Sequence, residues 1–227
     1  MYRWRHHLNL GFRTILIAVL WVTSNFRLSH AMNAQSRSTL RKSLRQARRQ
    51  LSPSQQAHAA MQLYHSISGQ RYFRKAKRIA FYLASDGEID PSLLLAAAEA
   101  RGQHCYLPLI HPFRPDRMLF LRYRQGDPLL QHRWGMWQPA LRRGALLRAR
   151  ALDIAFVPLV GFDSACSRLG MGKGFYDRTF SFRRRAGRRS PKLIGLAHEC
   201  QRVESLENQA WDVQMDKIVS DWATYQP

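Results

Sequence analysis

DIAFVPLVGFDSACSRLGMGKGFYD, residues 153–177, is the stretch that decides the fold. Its first part, DIAFVPLV, is a short apolar run bounded by Asp153 and Gly161, a pattern typical of a fully buried strand. A glycine-rich segment follows, and a helix is expected after it. A buried strand that leads through a glycine-rich loop into a helix is a building unit of α/β proteins.

The same alternation continues on both sides of this stretch. Further strands are predicted at residues 78–84, 104–110, 118–123, 192–197 and 217–219. Helices are predicted at residues 38–51, 53–67 and 92–100, with Ser38 and Ser52 as N-caps of the first two. We therefore expect a single Rossmann-like α/β domain: three layers, a mainly parallel sheet and helices on both faces.

The charge of the chain is strongly basic and unevenly distributed. The 227 residues include 36 Lys or Arg against 15 Asp or Glu, a formal charge of +21. Residues 1–85 carry 15 of the basic residues and no acid. Such a surface attracts phosphate backbones, so a nucleic-acid-binding protein that uses the Arg-rich N-terminal helices is one alternative. No RNP, KH or zinc-finger pattern is present, which favours an enzyme that acts on anionic substrates.

The first 31 residues are interpreted as an extension that precedes a domain over residues 32–227. Basic residues followed by the apolar run of residues 15–22 imitate a signal peptide, with a cleavage pattern at Ala31 and Ala34. The alternatives are export and an upstream extension with Met32 as the true start. Three widely spaced cysteines without a CxxC pair suggest no disulfide framework. We expect a cytoplasmic protein with no stable membrane span.

Residues 168–177 carry the pattern most indicative of chemistry. Gly170, Gly172 and Gly174 alternate, and Lys173 stands between the last two. Such a backbone can approach a polyphosphate closely and present N–H groups to it, while the lysine neutralises charge. The spacing matches neither Walker A nor GxGxxG. An ordinary glycine loop is the alternative.

The run RLGMGKGFYDR, residues 168–178, resembles the signature of the 5-formyltetrahydrofolate cyclo-ligases, also called methenyltetrahydrofolate synthetases. Further similar stretches follow the family's order. They are RKSLR at 41–45, FYLASDGEID at 81–90, FVPLVGFD at 156–163 and WDVQMDKIV at 211–219. The resemblance covers about residues 38–221.

The resemblance implies an ATP-dependent reaction. The formyl oxygen of 5-formyltetrahydrofolate is phosphorylated, N10 attacks the activated carbon, and phosphate leaves to give 5,10-methenyltetrahydrofolate. ATP is the implied co-substrate, and Mg²⁺ is the implied metal. The resemblance further implies that the protein acts as a monomer on small molecules and has no dedicated nucleic acid partner.

The resemblance also assigns residues to these ligands. ATP contacts are assigned to Arg41, Arg45, Arg168, Leu169, Gly170, Met171, Gly172, Lys173, Gly174, Phe175 and Tyr176. Folate contacts are assigned to Arg45, Tyr82, Leu83, Glu88, Trp134, Gly172 and Tyr176. Catalytic roles are assigned to Lys173, Arg168 and Tyr176, and the metal to Asp177 and Asp212.

Each assignment has a structural alternative. Arg41 and Arg45 fit a solvated helix face, and Tyr82 and Leu83 fit core packing. Glu88, Asp177 and Asp212 fit turn, cap or surface acids.

Three residues depart from the family pattern. Cys166 stands where Gly is usual, Phe175 where Tyr is usual, and Gln138 where Glu commonly precedes Pro. If position 166 requires a positive φ, cysteine puts the loop geometry in doubt.

Overall fold

A computed structural model describes residues 36–111, 113–132, 137–140, 146–184 and 190–227. Its helices are α1 (36–49), α2 (Pro53–Ser68), α3 (Arg71–Lys75), α4 (Ser92–Ala100) and α5 (Phe175–Thr179). Its strands are β1 (Arg78–Ala80), β2 (His104–Ile110), β3 (Met118–Arg122), β4 (Leu129–Gln131), β5 (Trp137–Pro139), β6 (Leu146–Leu147), β7 (Ile154–Pro158), β8 (Gly161–Phe162), β9 (Arg168–Leu169), β10 (Lys192–Ala197), β11 (Lys217–Ser220) and β12 (Thr224–Tyr225). No helix in these ranges is long and apolar enough to cross a bilayer.

Two units are distinguished along the chain, Met1–Lys42 and Ser43–Pro227. In the first, residues 36–42 are described, and all of them are helical. The second contains the sheet and the site analysed below. The predicted boundary between residues 31 and 32 lies outside the described residues and stays a prediction.

The second unit is built on a mixed sheet. Over the described residues, its eight strands follow the order β12-β11-β10-β7-β1-β2-β3-β6. The run from β11 to β2 is parallel, and β12, β3 and β6 are antiparallel additions at the two sides. The predicted mainly parallel sheet is confirmed. Its parallel strands bring their carboxyl ends to one edge, where ligands of open α/β sheets bind.

Both faces of the sheet are covered, as predicted. Ile79 and Phe156 point to the face covered by α2, α3 and α4. Ala80 and Val157 alternate with them along β1 and β7 and point to the other face. There they pack with Phe180, directly after α5, and with Phe182 in the short 3-10 helix that follows. This two-residue alternation is what the pleat of a strand requires.

Most predicted elements are confirmed, and their bounds show where local signals were strong. The predicted strands at 104–110 and 192–197 coincide with β2 and β10. Ser52 caps α2 in a reciprocal capping box with Gln55. Ser38 is not an N-cap, because residues 36–49 form one helix that has begun before it. The strand predicted at 78–84 ends at Ala80, where the chain leaves the sheet for the candidate site.

Helical periodicity places the arginines of an amphipathic helix on its polar face, but the structure places Arg48 inside. Its side chain is fully buried. Its guanidinium donates to the backbone oxygen of Asp86 at 2.9 Å and to that of Leu159 at 3.1 Å, and to the Asp86 carboxylate at 2.9 Å. Arg48 therefore joins residues 43–49 to the segments that follow β1 and β7.

Arg48→Met is expected to lower the free energy of unfolding by about 3 kcal/mol, because it removes three hydrogen bonds of a buried guanidinium and leaves the Asp86 backbone oxygen without this donor, whereas Leu159 keeps its bond from Gln201. Arg49→Met is the matched control. Arg49 contacts the same Asp86 carboxylate, but its side chain is 55% exposed, so its loss is expected to cost about 1 kcal/mol or less. Urea unfolding measures both losses of stability, provided that the m-value is the same in the variants and the parent protein. Equal losses in the two variants would contradict the role given to Arg48.

Candidate active site

Two segments leave the carboxyl edge of the sheet side by side, because β1 and β7 are parallel neighbours. Residues 81–90 follow β1, and residues 159–177 follow β7. Both contain residues that were predicted to bind ligands. We call their meeting place the carboxyl-edge site.

The first segment makes a tight turn at residues 85–88. Asp86 and Gly87 both have positive φ, 55° and 75°. The backbone N–H of Glu88 donates to the oxygen of Ser85 at 3.0 Å. A Cβ on Gly87 would lie 3.0 Å from the backbone oxygen of Arg48, so glycine permits the close approach of the helix to this turn.

Asp86 collects three guanidinium groups. Arg45 and Arg48 donate to its carboxylate at 2.7 and 2.9 Å, and Arg49 contacts it as well. Burial opposes ionisation of Asp86, but the hydrogen bonds from Arg45, Arg49 and Arg48 outweigh it and lower its pKa to about 2. Of the three arginines around Asp86, the resemblance assigns only Arg45 to a ligand. The available signal was the three- and four-residue spacing of the arginines, which holds them near one another on a helix.

Glu88 lies beside this cluster in a more apolar position. Burial raises the pKa of its carboxyl group, against the lowering effect of Arg48, whose guanidinium is 3.7 Å away. One carboxylate oxygen accepts from the Ser85 backbone N–H at 3.1 Å and from its hydroxyl at 3.3 Å. Glu88 is therefore a held carboxyl group rather than a freely solvated turn acid.

Tyr82 and Leu83 precede this turn. Tyr82 is buried, and its hydroxyl donates to the backbone oxygen of Ile89 at 2.7 Å. Burial raises the pKa of Tyr82, and the nearby charge of Glu88 adds to the effect. Leu83 is half-buried and packs against the core. Both residues pack as the structural alternative proposed, and their contact with folate stays a prediction.

The second segment begins with a small hairpin. β8 and β9 pair antiparallel, Gly161 with Leu169 and Phe162 with Arg168. A Cβ on Gly161 would lie 2.5 Å from the end of the Leu44 side chain, so a larger residue at the start of β8 would require Leu44 to shift. Cys166, in the turn between the strands, has φ 62°. The position does adopt the conformation that favours glycine, and cysteine occupies it at a cost of about 1 kcal/mol.

The glycine-rich loop, residues 170–174, follows this hairpin. Gly172 and Gly174 have φ 94° and 64°, so both use backbone conformations that other residues adopt rarely. The Lys173 side chain is exposed. Arg178 donates to the backbone oxygen of Lys173 at 2.5 Å and to that of Asp116 at 2.8 Å. These bonds fix the backbone of Lys173 against the turn between β2 and β3.

Arg168 precedes the glycine-rich loop along the chain, and Tyr176 follows it. Arg168 is buried and donates to the Asp177 carboxylate at 2.5 Å, with its guanidinium carbon 5.8 Å from the centre of the Tyr176 ring. Burial raises the pKa of Tyr176, and the charge of Glu88 raises it further. The segment that carries this loop is joined to the Glu88 turn through Arg48, which donates to Leu159 and to Asp86.

Asp177 and Asp212, the predicted metal ligands, are neighbours. Asp177 accepts at 3.2 Å from the backbone N–H of Val213, the residue after Asp212. Asp212 itself accepts from the backbone N–H of Gln209 at 3.0 Å. Across the described ranges, no group of three or more His, Cys, Asp or Glu could hold a metal by itself. Two carboxylates from contacting segments are a ligand set that fits Mg²⁺ bound mainly through phosphate and water.

The remaining predicted residues lie as follows. Arg41 lies in α1, within the first unit, and its contact with ATP stays a prediction. Phe175 begins α5, with the Arg178 guanidinium 5.7 Å from its ring centre. Gln138 is half-buried in β5, opposite Leu130 of β4. Trp134 lies outside the described residues.

Comparisons with known proteins agree on one family. The family model described as the 5-formyltetrahydrofolate cyclo-ligase family matches residues 33–221. The 5-formyltetrahydrofolate cyclo-ligase of Haemophilus influenzae is 39% identical over 188 residues, which cover 83% of this chain and 99% of that protein. The enzyme of the same name from Escherichia coli K12 is 35% identical over 177 residues, 78% of this chain and 96% of that one.

A solved structure supports the same conclusion at the level of the fold. The 5,10-methenyltetrahydrofolate synthetase of Aquifex aeolicus, determined by NMR, has a TM-score of 0.71 and 26% sequence identity. The match covers 84% of this chain and 92% of that one. By the family model, the relatives and the shared fold, this chain belongs to the 5-formyltetrahydrofolate cyclo-ligase family.

Proposed function

We propose that this chain converts 5-formyltetrahydrofolate to 5,10-methenyltetrahydrofolate, with ATP hydrolysed to ADP and phosphate. The observation that carries the proposal is the link made by Arg48, whose guanidinium donates to Asp86, in the turn with Glu88, and to Leu159, at the start of the segment with the glycine-rich loop. The two segments carry most of the residues assigned to ATP and to folate. A reaction between these ligands requires their sites to adjoin.

The phosphate side of the site is the loop of residues 170–174 with the cations around it. Lys173 is an exposed residue whose backbone Arg178 holds, and a lysine at the surface of the loop suits contact with a phosphate as a point charge. Arg168 lies beneath the loop and supplies a second positive charge. In α1, Arg45 is bound to Asp86 through one nitrogen and keeps a third of its side chain exposed, which suits the predicted contact with ATP.

The folate side of the site is Glu88 with its surroundings. A carboxylate can accept hydrogen bonds from pterin N–H groups, and the two bonds from Ser85 hold Glu88 in place for this. Tyr176 is assigned to both ligands, and the Arg168 guanidinium lies 5.8 Å from its ring centre.

The chemistry proceeds in two steps. The formyl oxygen attacks the γ-phosphorus of ATP, the bond to the bridging oxygen breaks, and ADP leaves. N10 then attacks the formyl carbon and loses its proton, and the carbon–oxygen bond breaks to release phosphate. Phosphorylation is needed because an unmodified formyl oxygen is a poor leaving group. The protein contributes mainly by positioning both substrates and by stabilising charge.

Asp177 and Asp212 are the residues that would hold Mg²⁺. When bound, the metal neutralises charge on the transferring phosphoryl group. Asp177 is also paired with Arg168 at 2.5 Å. In this pair, the Asp177 carboxylate neutralises the positive charge of the buried Arg168 guanidinium.

The setting of the reaction is also part of the proposal. We infer that the chain acts as a monomer on small molecules in a reducing cytoplasm. The cysteines support the compartment: Cys105 and Cys166 are buried free thiols, and Cys200 is an exposed one.

Lys173→Ala is expected to lower kcat/KM for ATP about tenfold or more, because a charged contact with phosphate is lost. Lys173→Arg keeps the positive charge and should therefore retain part of the kcat/KM that Lys173→Ala loses. Lys42→Ala removes an exposed lysine outside the assigned residues and serves as the control. The assay follows absorbance of methenyltetrahydrofolate. Unchanged kinetics in Lys173→Ala would remove this lysine from the site.

Asp177→Asn and Asp212→Asn are each expected to raise the Mg²⁺ concentration for half-maximal activity by about tenfold. Excess Mg²⁺ should restore turnover in part. A purely structural role for Asp177, as the partner of Arg168, predicts lower stability with an unaltered Mg²⁺ dependence. Titrating activity with Mg²⁺ alongside thermal unfolding separates the two roles.

Oxygen transfer tests the phosphorylated intermediate directly. With ¹⁸O in the formyl group of the substrate, the released phosphate is expected to carry the label, because the formyl oxygen leaves bonded to phosphorus. Mass spectrometry of the phosphate measures this. Label that appears in water instead would show that ATP does not activate the formyl oxygen.

A further inference from the structure

A second basic site lies at the opposite edge of the sheet. A cleft of about 490 Å³ opens where β1, β7 and β10 begin. We call it the amino-edge cleft; its walls include Tyr72, Lys75, Lys77, Arg78, Asp153 and Lys192. β10 spans six residues, so this edge is about 20 Å from the carboxyl edge along the strand. The cleft is therefore separate from the candidate active site.

Lysine is concentrated at this cleft in a chain that otherwise uses arginine. Only six of the 36 basic residues are Lys. Three of the six line the cleft, and Lys217 contacts the same Tyr72 ring as Lys192 does. A general drift toward arginine would not place four of six lysines together. Lysine differs from arginine as a compact charge with three freely rotating donors.

Lys192 and Lys217 form a pair of like charges on one aromatic ring. Their ammonium groups each lie 5.4 Å from the centre of the Tyr72 ring. Burial lowers the pKa of Lys217, and the charge of Lys192 lowers it further. Burial raises the pKa of Tyr72 to about 12, so its phenol stays protonated and available as a donor.

The carboxylate at the cleft is already engaged. Asp153 accepts from the backbone N–H groups of Lys77 and Arg78, both at 2.8 Å, and from the Arg78 guanidinium at 3.1 Å. In the part of the chain that the structure describes, none of the four lysines forms an ion pair with a carboxylate. The cleft thus gathers cations whose mutual repulsion an anion would relieve.

We propose that the amino-edge cleft binds a small polyanion, a molecule with two or more phosphate or carboxylate groups, independently of the carboxyl-edge site. The lysines lie in two groups, Lys75 and Lys77 on and after α3 and Lys192 and Lys217 at the starts of β10 and β11. Two groups of cations suit a ligand with two separated anionic groups. The Tyr72 ring lies against the second group.

The six lysines also make the test specific. Reductive ¹³C-methylation of the full chain keeps the lysine charge and gives a separate NMR signal for each lysine, assigned with single Lys→Arg variants. The Lys173→Ala background removes the loop lysine from the measurement. Pyrophosphate and citrate are titrated in separate arms, and the arm with the tighter binding identifies phosphate or carboxylate as the preferred group.

Saturable shifts are expected in the signals of Lys75, Lys77, Lys192 and Lys217, with that of Lys42 unchanged. In the Lys192→Gln/Lys217→Gln variant, the remaining Lys75 and Lys77 signals should report binding at least tenfold weaker. Arg101→Gln/Arg124→Gln removes the same charge from other exposed positions and should bind as before. Thermal unfolding verifies that both variants fold. Three outcomes would overturn the proposal. They are chemical shifts that do not saturate, an equal shift of the Lys42 signal, and binding that weakens equally in the two variants.

Discussion

The buried guanidinium of Arg48 is the constraint on which the carboxyl-edge site depends. A charge removed from water costs several kcal/mol unless acceptors surround it, and here the acceptors come from Asp86 and Leu159. Asp86 belongs to the turn that carries Glu88, and Leu159 precedes the hairpin that leads to the glycine-rich loop. Satisfying one side chain therefore fixes the two segments next to each other before any ligand is present.

The charges around this link are arranged in balanced pairs with an excess of cations on the outside. Asp86 neutralises part of the charge of three arginines, and Asp177 compensates the buried Arg168. Arg45, Arg49 and Lys173 remain at least partly exposed. Inner pairs of this kind preserve the geometry, while the outer cations lie at the surface that an anionic substrate would approach. The overall charge of +21 adds attraction at long range, which salt screens.

The sequence predicts the parts of this fold that depend on local patterns. Apolar runs specify β2 and β10 within a residue, and Ser52 with Pro53 specifies the start of α2. The glycines of the loop indicate its backbone conformation. Arg48 could not be placed from the same information, because helical periodicity assigns an arginine to the polar face unless its buried acceptors are known. Those acceptors are 38 and 111 residues away along the chain, and tertiary structure alone brings them near.

The central claim is that the polyphosphate of ATP lies on the loop of residues 170–174 with reduced folate beside Glu88. A crystal structure with a non-hydrolysable ATP analogue and 5-formyltetrahydrofolate tests it most directly. The account predicts phosphate oxygens in contact with Lys173 and the loop backbone, and the pterin ring within hydrogen-bond distance of the Glu88 carboxylate. A polyphosphate bound in the amino-edge cleft, with the loop empty, would contradict it.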